Sequence, residues 1–207
     1  MTARNEILSR LGQGSPEIPE MKSRSRQYPD MPVQFAEALT ASKGETFIVP
    51  SKAAVLDQVW ELLAELKAES VVAHRDAPLA DLGLPDAFPA LKWHFAGEDD
   101  EYRTACIHAD VGLTSAELAL AETGSLVMAS GSDKARMTTL LPPAHIALVP
   151  ESRLIPSIFE WQRDHQGEMP ANLFLISGPS KTGDIEQTPI VGVPGPKRLM
   201  VVIYREE

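Results

Sequence analysis

Apolar residues recur along this 207-residue chain with two periods that alternate. Short runs predict strands: TFIV at 46–49, SVVAH at 70–74, SLVMAS at 125–130, HIALVP at 145–150, NLFLIS at 172–177 and LMVVIY at 199–204. LKWHF (91–95) and ACIHADVGL (105–113) predict two more. Between them the spacing turns helical. Val55, Val59, Leu62, Leu63 and Leu66 form one stripe over 51–68, the clearest helix. Val33, Phe35, Ala36 and Leu39 predict an earlier helix that ends at Gly44, and shorter ones are expected over ARMTTLL (135–141) and near 156–166. Thr114 and Glu117 fit a T-x-x-E capping box that predicts a helix over AELALAE, with Gly124 just past its end. Such alternation implies an α/β fold: a mostly parallel open sheet with helices on both faces.

The first residues read differently. TARNEILSRL (2–11) could form a short helix, and residues 12–29 hold Gly12, Gly14, Pro16, Pro19 and Pro29 with Lys22, Arg24 and Arg26, a linker signature. The expected division is therefore 1–29, an N-terminal helix and flexible linker, and 30–207, one α/β domain. A net charge of −10 argues against nucleic acid or anionic lipid as a partner. MTARNEILSRLGQG is not a signal peptide, and LMVVIY is far short of a membrane span, so a cytoplasmic protein is expected. Cys106 is the single cysteine, too few thiols for an internal disulfide or a four-thiolate cluster. No dinucleotide fingerprint occurs either, so no iron–sulfur cluster, flavin or haem is expected on this chain.

Candidate chemistry concentrates in residues 110–149 and 176–196, at strand–helix junctions of the kind that bind ligands in open α/β sheets. GPSKTGD (178–184) has the G-x-x-x-x-G spacing of a phosphate loop, but Asp184 and Ile185 stand where that motif needs Lys and Ser/Thr. Nucleotide hydrolysis of that type is excluded. Backbone N–H groups there, with Ser180, Lys181 and Thr182, could still hold a carboxylate or phosphate group. An ordinary turn with Asp184 as a helix cap is the other reading. AETGS (121–125) places Glu122 at a predicted helix C-terminus, where its charge is disfavoured. His108 and Asp110 would share a strand face, as an acid–base pair or as two residues of a solvated edge. His145 would lie at a strand N-terminus, away from ligands bound at the strand C-termini. Cys106 reads as a core thiol.

The run from Asp110 through Thr114, then AETGSLV, LLPPAHIALV, ISGPSKTGDIE and GVPGP, resembles the LUD-domain family in its lactate-utilisation protein C branch. The likeness covers roughly residues 30–207, with several blocks in order. Two departures stand out. Pro194 occupies a position where the family usually has His, and Lys181 and Gly183 stand where it commonly has Arg and Ala. The resemblance implies a fold like that of ribose-5-phosphate isomerases, class I CoA transferases and formyltetrahydrofolate cyclo-ligases. It further implies a part in oxidising L-lactate to pyruvate beside iron–sulfur partner subunits, as a non-redox subunit or accessory factor. CoA transferases of this fold carry a catalytic Glu in an E-x-G turn, which Glu122, Thr123 and Gly124 resemble. That supports a second reading, a stand-alone CoA-transferase-like or acid–base enzyme acting on a small carboxylate. On that second reading Glu122 is the catalytic candidate. Thr114, Thr123, Gly124, Ser180, Lys181, Thr182 and Asp184 are the ligand-binding candidates.

Overall fold

A strand that is apolar at every position must be covered on both faces, which places it inside a parallel sheet. Two segments come closest to that condition, interrupted only by His145 and Arg198. β7 (Ala144–Pro150) is buried at all seven positions and β12 (Arg198–Tyr204) at its last six. In the computed structural model, which describes residues 4, 9, 27–77, 79–98, 101–164, 170, 172–183, 189–191 and 195–206, they lie side by side in a six-stranded sheet. The remaining strands are β1 (Glu45–Val49), β2 (Ser70–Ala73), β3 (Lys92–Phe95) and β4 (Val111–Ser115). The order is β1-β12-β7-β4-β2-β3 and every pair is parallel.

Alternation along the central strands sorts side chains into two cores. Met200, Val202 and Tyr204 of β12, with Ile146 and Leu148 of β7, pack on one face against Val55, Val59, Leu62 and Leu63 of α2 (Lys52–Leu66). Ser51 starts α2 by accepting from Ala54 N at 3.3 Å. Leu199, Val201, Ile203, Ala147 and Val149 face the other way, onto Phe35 and Leu39 of α1 (Met31–Ala41). Asp30 caps α1, accepting from Val33 N at 3.1 Å. That face also carries a second sheet of four strands, ordered β8-β5-β6-β9: β5 (Leu118–Leu120), β6 (Ser125–Ala129), β8 (Leu154–Ile155) and β9 (Leu173–Ile176). Helices thus flank both faces of the parallel sheet, as the sequence pattern implied.

Three expectations are corrected. Residues 105–113 are not one strand: α4 (Tyr102–His108) ends before β4 begins, after α3 (Leu84–Ala87) and β3 earlier in the chain. Tyr102, Cys106 and Ala109 recur at helical spacing and pack together against Val72. His108 therefore ends a helix, while Asp110 clips the start of β2, accepting from Glu69 N, Ser70 N and Ser70 Oγ at 3.0, 2.9 and 2.8 Å. The T-x-x-E segment opens no helix. Ala119 and Leu126 of its β5–β6 hairpin bury in the core, and sheet pairing overrides the local capping pattern. Lys181 to Gly183 form β10 (Lys181–Gly183), paired antiparallel with β11 (Pro189–Val191), rather than part of a turn. The short helices expected at 135–141 and near 156–166 are present as α5 (Met137–Leu140) and α6 (Ile158–Asp164).

Arg4 and Ser9 are described, but otherwise the N-terminal helix and linker up to residue 26 lie outside the described residues. So do Asp184, the helix expected after it, and Pro194. Among the described residues no helix is long and apolar enough to cross a membrane.

Candidate functional site

The C-terminal ends of parallel strands gather polar groups that the chain's order keeps far apart. β2 ends at Ala73, and His74 extends its ladder by one bond, from its N–H to Leu113 O at 3.1 Å. The chain then leaves the sheet, and Arg75 N–H bonds Asp133 O at 3.2 Å. Asp133 belongs to a tight turn closed by reciprocal bonds between Gly131 and Lys134 of 3.1 and 3.3 Å. That turn aims Lys134 at the sheet edge. Its ammonium bonds Glu117 and lies 3.3 Å from Asp76 Oδ2. Ser115, the last residue of β4, donates its hydroxyl to the same Asp76 oxygen. Asp76, Ser115 and His74 are all buried.

Below this charged layer lies a neutral one. His145 Nε2 and Thr114 Oγ1 are 2.8 Å apart, and His74 Nε2 donates to Ala135 O at 3.3 Å. Tyr102 donates to Ala73 O at 3.2 Å and lies 2.8 Å from Thr138 Oγ1. Burial pushes the His145 imidazole down to about 3, and the neighbouring His74 adds to this. Burial also lowers His74, against the opposing pull of Asp76. Both rings are therefore neutral at pH 7. Burial alone would lower the Lys134 ammonium, but its bond to Glu117 and the charges of Asp76 and Glu117 outweigh that and raise it. Lys134 is a fixed cation, not a base. His74 Nδ1, His145 Nδ1 and Asp76 Oδ1 are buried with no hydrogen-bond partner among the described residues. Three orphaned polar atoms in one neighbourhood make an interior that favours a donor-bearing guest or ordered water.

The position of His145 corrects the reading that set it apart. It is indeed the second residue of β7, but β7 starts level with Val111, so the ring reaches up diagonally to Thr114. Thr114 is the one ligand-binding candidate in this group. Sequence spacing does not reveal that His74, Asp76, Lys134 and His145 belong together, because their proximity depends on strand order. The visible signal was a polar triplet, His74, Arg75 and Asp76, at the end of a strand.

The other candidates meet elsewhere. Glu122, Thr123 and Gly124 form the β5–β6 turn, so Glu122 is not at a helix terminus, and its N–H bonds Pro156 O at 3.0 Å. Gly124 has φ +62°, and a Cβ there would lie 2.3 Å from Leu39 N, which seats the turn on α1. Thr123 Oγ1, Ser125 Oγ and Ser177 Oγ form a chain of 2.8 and 2.6 Å contacts that leads to residues 178–183. Ser180 N–H bonds Pro196 O at 2.9 Å, and Lys181 Nζ donates to Ser42 O, just past α1, at 2.8 Å. Thr182 pairs with Ile190 in the β10–β11 ladder. The two turns thus share one end of α1, next to the N-terminal ends of β1 and β12 rather than the strand C-termini.

A family model described as the LUD domain matches residues 33–204. "Lactate utilization protein C" of an Exiguobacterium species is 31% identical, with 81% of this chain and 76% of the relative covered. The protein of that name from Halalkalibacterium halodurans is 29% identical over 98% of this chain and 96% of its own. The protein YkgG of Escherichia coli, whose name calls it uncharacterised, is 30% identical over 84% of this chain and 78% of its own. A crystal structure of a DUF162 family protein from Deinococcus radiodurans shares the fold with a TM-score of 0.56, at 20% identity over 84% of this chain and 96% of that one.

Proposed function

The chain belongs to the LUD-domain family, and on that footing we propose that it is a component of a lactate-utilisation system that oxidises L-lactate to pyruvate, acting as a non-redox subunit or accessory factor. The observation that carries this is the match to relatives named lactate utilization protein C, which in the Halalkalibacterium case extends over 96% of the relative. The thiol chemistry agrees. Cys106 is the only cysteine, fully buried, and burial pushes its thiol up to about 11. A buried, protonated thiol is no cluster ligand. Electron transfer then falls to partner subunits that carry iron–sulfur clusters, in a cytoplasmic assembly.

Within that role, the end of α1 where the Glu122 turn meets residues 178–183 is the proposed ligand site. Ser180, Lys181, Thr123 and Gly124 would hold a small carboxylate or phosphate group, and on the alternative reading of a stand-alone enzyme Glu122 would supply acid–base or acyl-transfer chemistry. The shared hydroxyl chain from Thr123 to Ser177 supports this reading. The Lys181–Ser42 bond engages one of the three ammonium donors and leaves two.

The test is genetic and biochemical together. A deletion strain without a paralogue should lose growth on L-lactate and keep growth on glucose. The tagged protein should retain cysteine-rich iron–sulfur proteins under anaerobic purification. Normal growth of the deletion strain on lactate would refute the pathway assignment. A stoichiometric thiolate–iron absorption band on the isolated chain would refute the non-redox role.

A further inference from the structure

On the face of the sheet that carries α2, the ends of β2, β3 and β4 enclose a cleft of about 270 Å³. This lies just below the roughly 300–1,000 Å³ usual for small-molecule sites, so it suits a small ligand. Its walls are apolar and include Leu79, Leu84, Leu113, Trp93 and Phe95. The last two stand two residues apart on β3, with ring planes within 5° and centroids 6.0 Å apart. They form one continuous aromatic face along the edge of the sheet. Arg75, at the end of β2, lines the cleft and lies over that face, its guanidinium 5.9 Å from the Phe95 centroid. It pairs with Glu98, and both side chains are about half exposed. Such an exposed pair adds little to stability, and a ligand carboxylate can replace one carboxylate with another at small cost. Asp86 also lines the cleft. With Glu98 it would repel a second negative charge.

We propose that this cleft is a binding site for a small planar monocarboxylate, an aromatic or conjugated acid. Its ring lies on the Trp93–Phe95 face and its carboxylate takes the Arg75 guanidinium in place of Glu98. The assignment does not rest on the pathway reading, because the occupant is set by apolar area and one cation. A three-carbon hydroxy acid lacks the planar apolar body that the walls of the cleft fit.

The experiment uses the full chain and four probes, benzoate, benzamide, phenyl phosphate and L-lactate, followed by calorimetry and tryptophan fluorescence. Benzoate should bind and quench. Benzamide, the same shape without charge, should bind about tenfold more weakly, as the loss of one charge-assisted pair implies. Arg75→Gln should bring benzoate down to the benzamide level and leave benzamide unchanged, with Tm within about 2 °C of the parent. Arg75→Lys should fall between, since it keeps charge and loses the planar fork. Lactate should fail to compete with benzoate. Equal binding of benzoate and benzamide, tighter binding of phenyl phosphate, no effect of Arg75→Gln, or no benzoate signal up to about 10 mM, a range that would still reveal millimolar affinity, would overturn the proposal.

Discussion

Lowering the pH should weaken this protein before its carboxylates begin to be neutralised, and His145 should be the main cause. The ring is fully buried against Thr114 and its folded-state value is about 3, against 6.5 for an ordinary histidine. The sign follows from linkage. Below pH 6.5 the unfolded chain takes up a proton that the folded chain refuses, so stability is fully present above 6.5 and is lost as pH falls towards 3. At about 1.4 kcal/mol per unit, the whole window is worth roughly 5 kcal/mol, and the fall from pH 6.5 to 4.5 alone costs ~2.5 kcal/mol. That is a large part of the margin of a domain this size. His74, shifted the same way, adds to the slope. The assay is urea unfolding by circular dichroism at half-unit steps from pH 7.5 to 4.5, for the parent and His145→Gln. The amide can still reach Thr114 and does not titrate. At pH 7.5 the variant should be about 1–2 kcal/mol less stable, through imperfect packing and an altered hydrogen bond. Its curve should be flatter, so that the two proteins converge or cross near pH 5. Equal slopes in both, or a His145 imidazole that titrates near 6.5 by NMR, would refute the reasoning.

Other outcomes are equally specific. Gly112→Ala places a Cβ 1.9 Å from Thr138 O, a backbone atom that cannot step aside, and should cost about 3 kcal/mol or more by chemical denaturation. Gly83→Ala, with φ +59° but nothing within 4 Å, should cost only ~1 kcal/mol, the strain of a left-handed backbone. Lys134→Met strands the buried Asp76 carboxylate and should destabilise by about 2–4 kcal/mol at pH 7, a deficit that adding Asp76→Asn should largely remove. Glu122→Gln should stay within about 0.5 kcal/mol of the parent yet fail to restore lactate growth, and full complementation would take Glu122 out of the proposed site.

What the sequence disclosed was whatever depends on near neighbours. The apolar stripe of α2 and the runs at 145–150 and 199–204 state their own burial, so the layers could be inferred. Residues 105–113 misled because Ala105, Cys106 and Ile107 make an apolar run that suits a strand. The helical signal, Tyr102 to Cys106 to Ala109, begins three residues earlier. The segment after Thr114 misled because a capping box is a four-residue pattern, whereas β5 is held by β6 and β8. Strand order was out of reach altogether. It brings Lys134 to Asp76 and His145 to Thr114, and no periodicity encodes it. The family likeness directed attention to the Glu122 turn and residues 178–184, of which residues 178–183 lie with that turn at one end of α1. It did not direct attention to the buried histidines.

The order of the parallel sheet also governs how the protein can be made. Among the described residues β1 has one neighbour, β12, and β12 lies between β1 and β7. Until a ribosome has released residues 198–204, the sheet has an open slot between its first strand and the rest. Glu45 likewise waits for Arg198, which it holds at 2.9 and 2.7 Å. Nascent chains therefore pass through synthesis with the apolar faces of α1 and α2 only partly covered, and closing the slot joins residues about 150 apart in sequence, a slow kind of contact to form. A nonsense codon at or before residue 198 would not trim an edge. It would remove a central strand, and such products should be found bound to chaperones or degraded rather than accumulating in folded form.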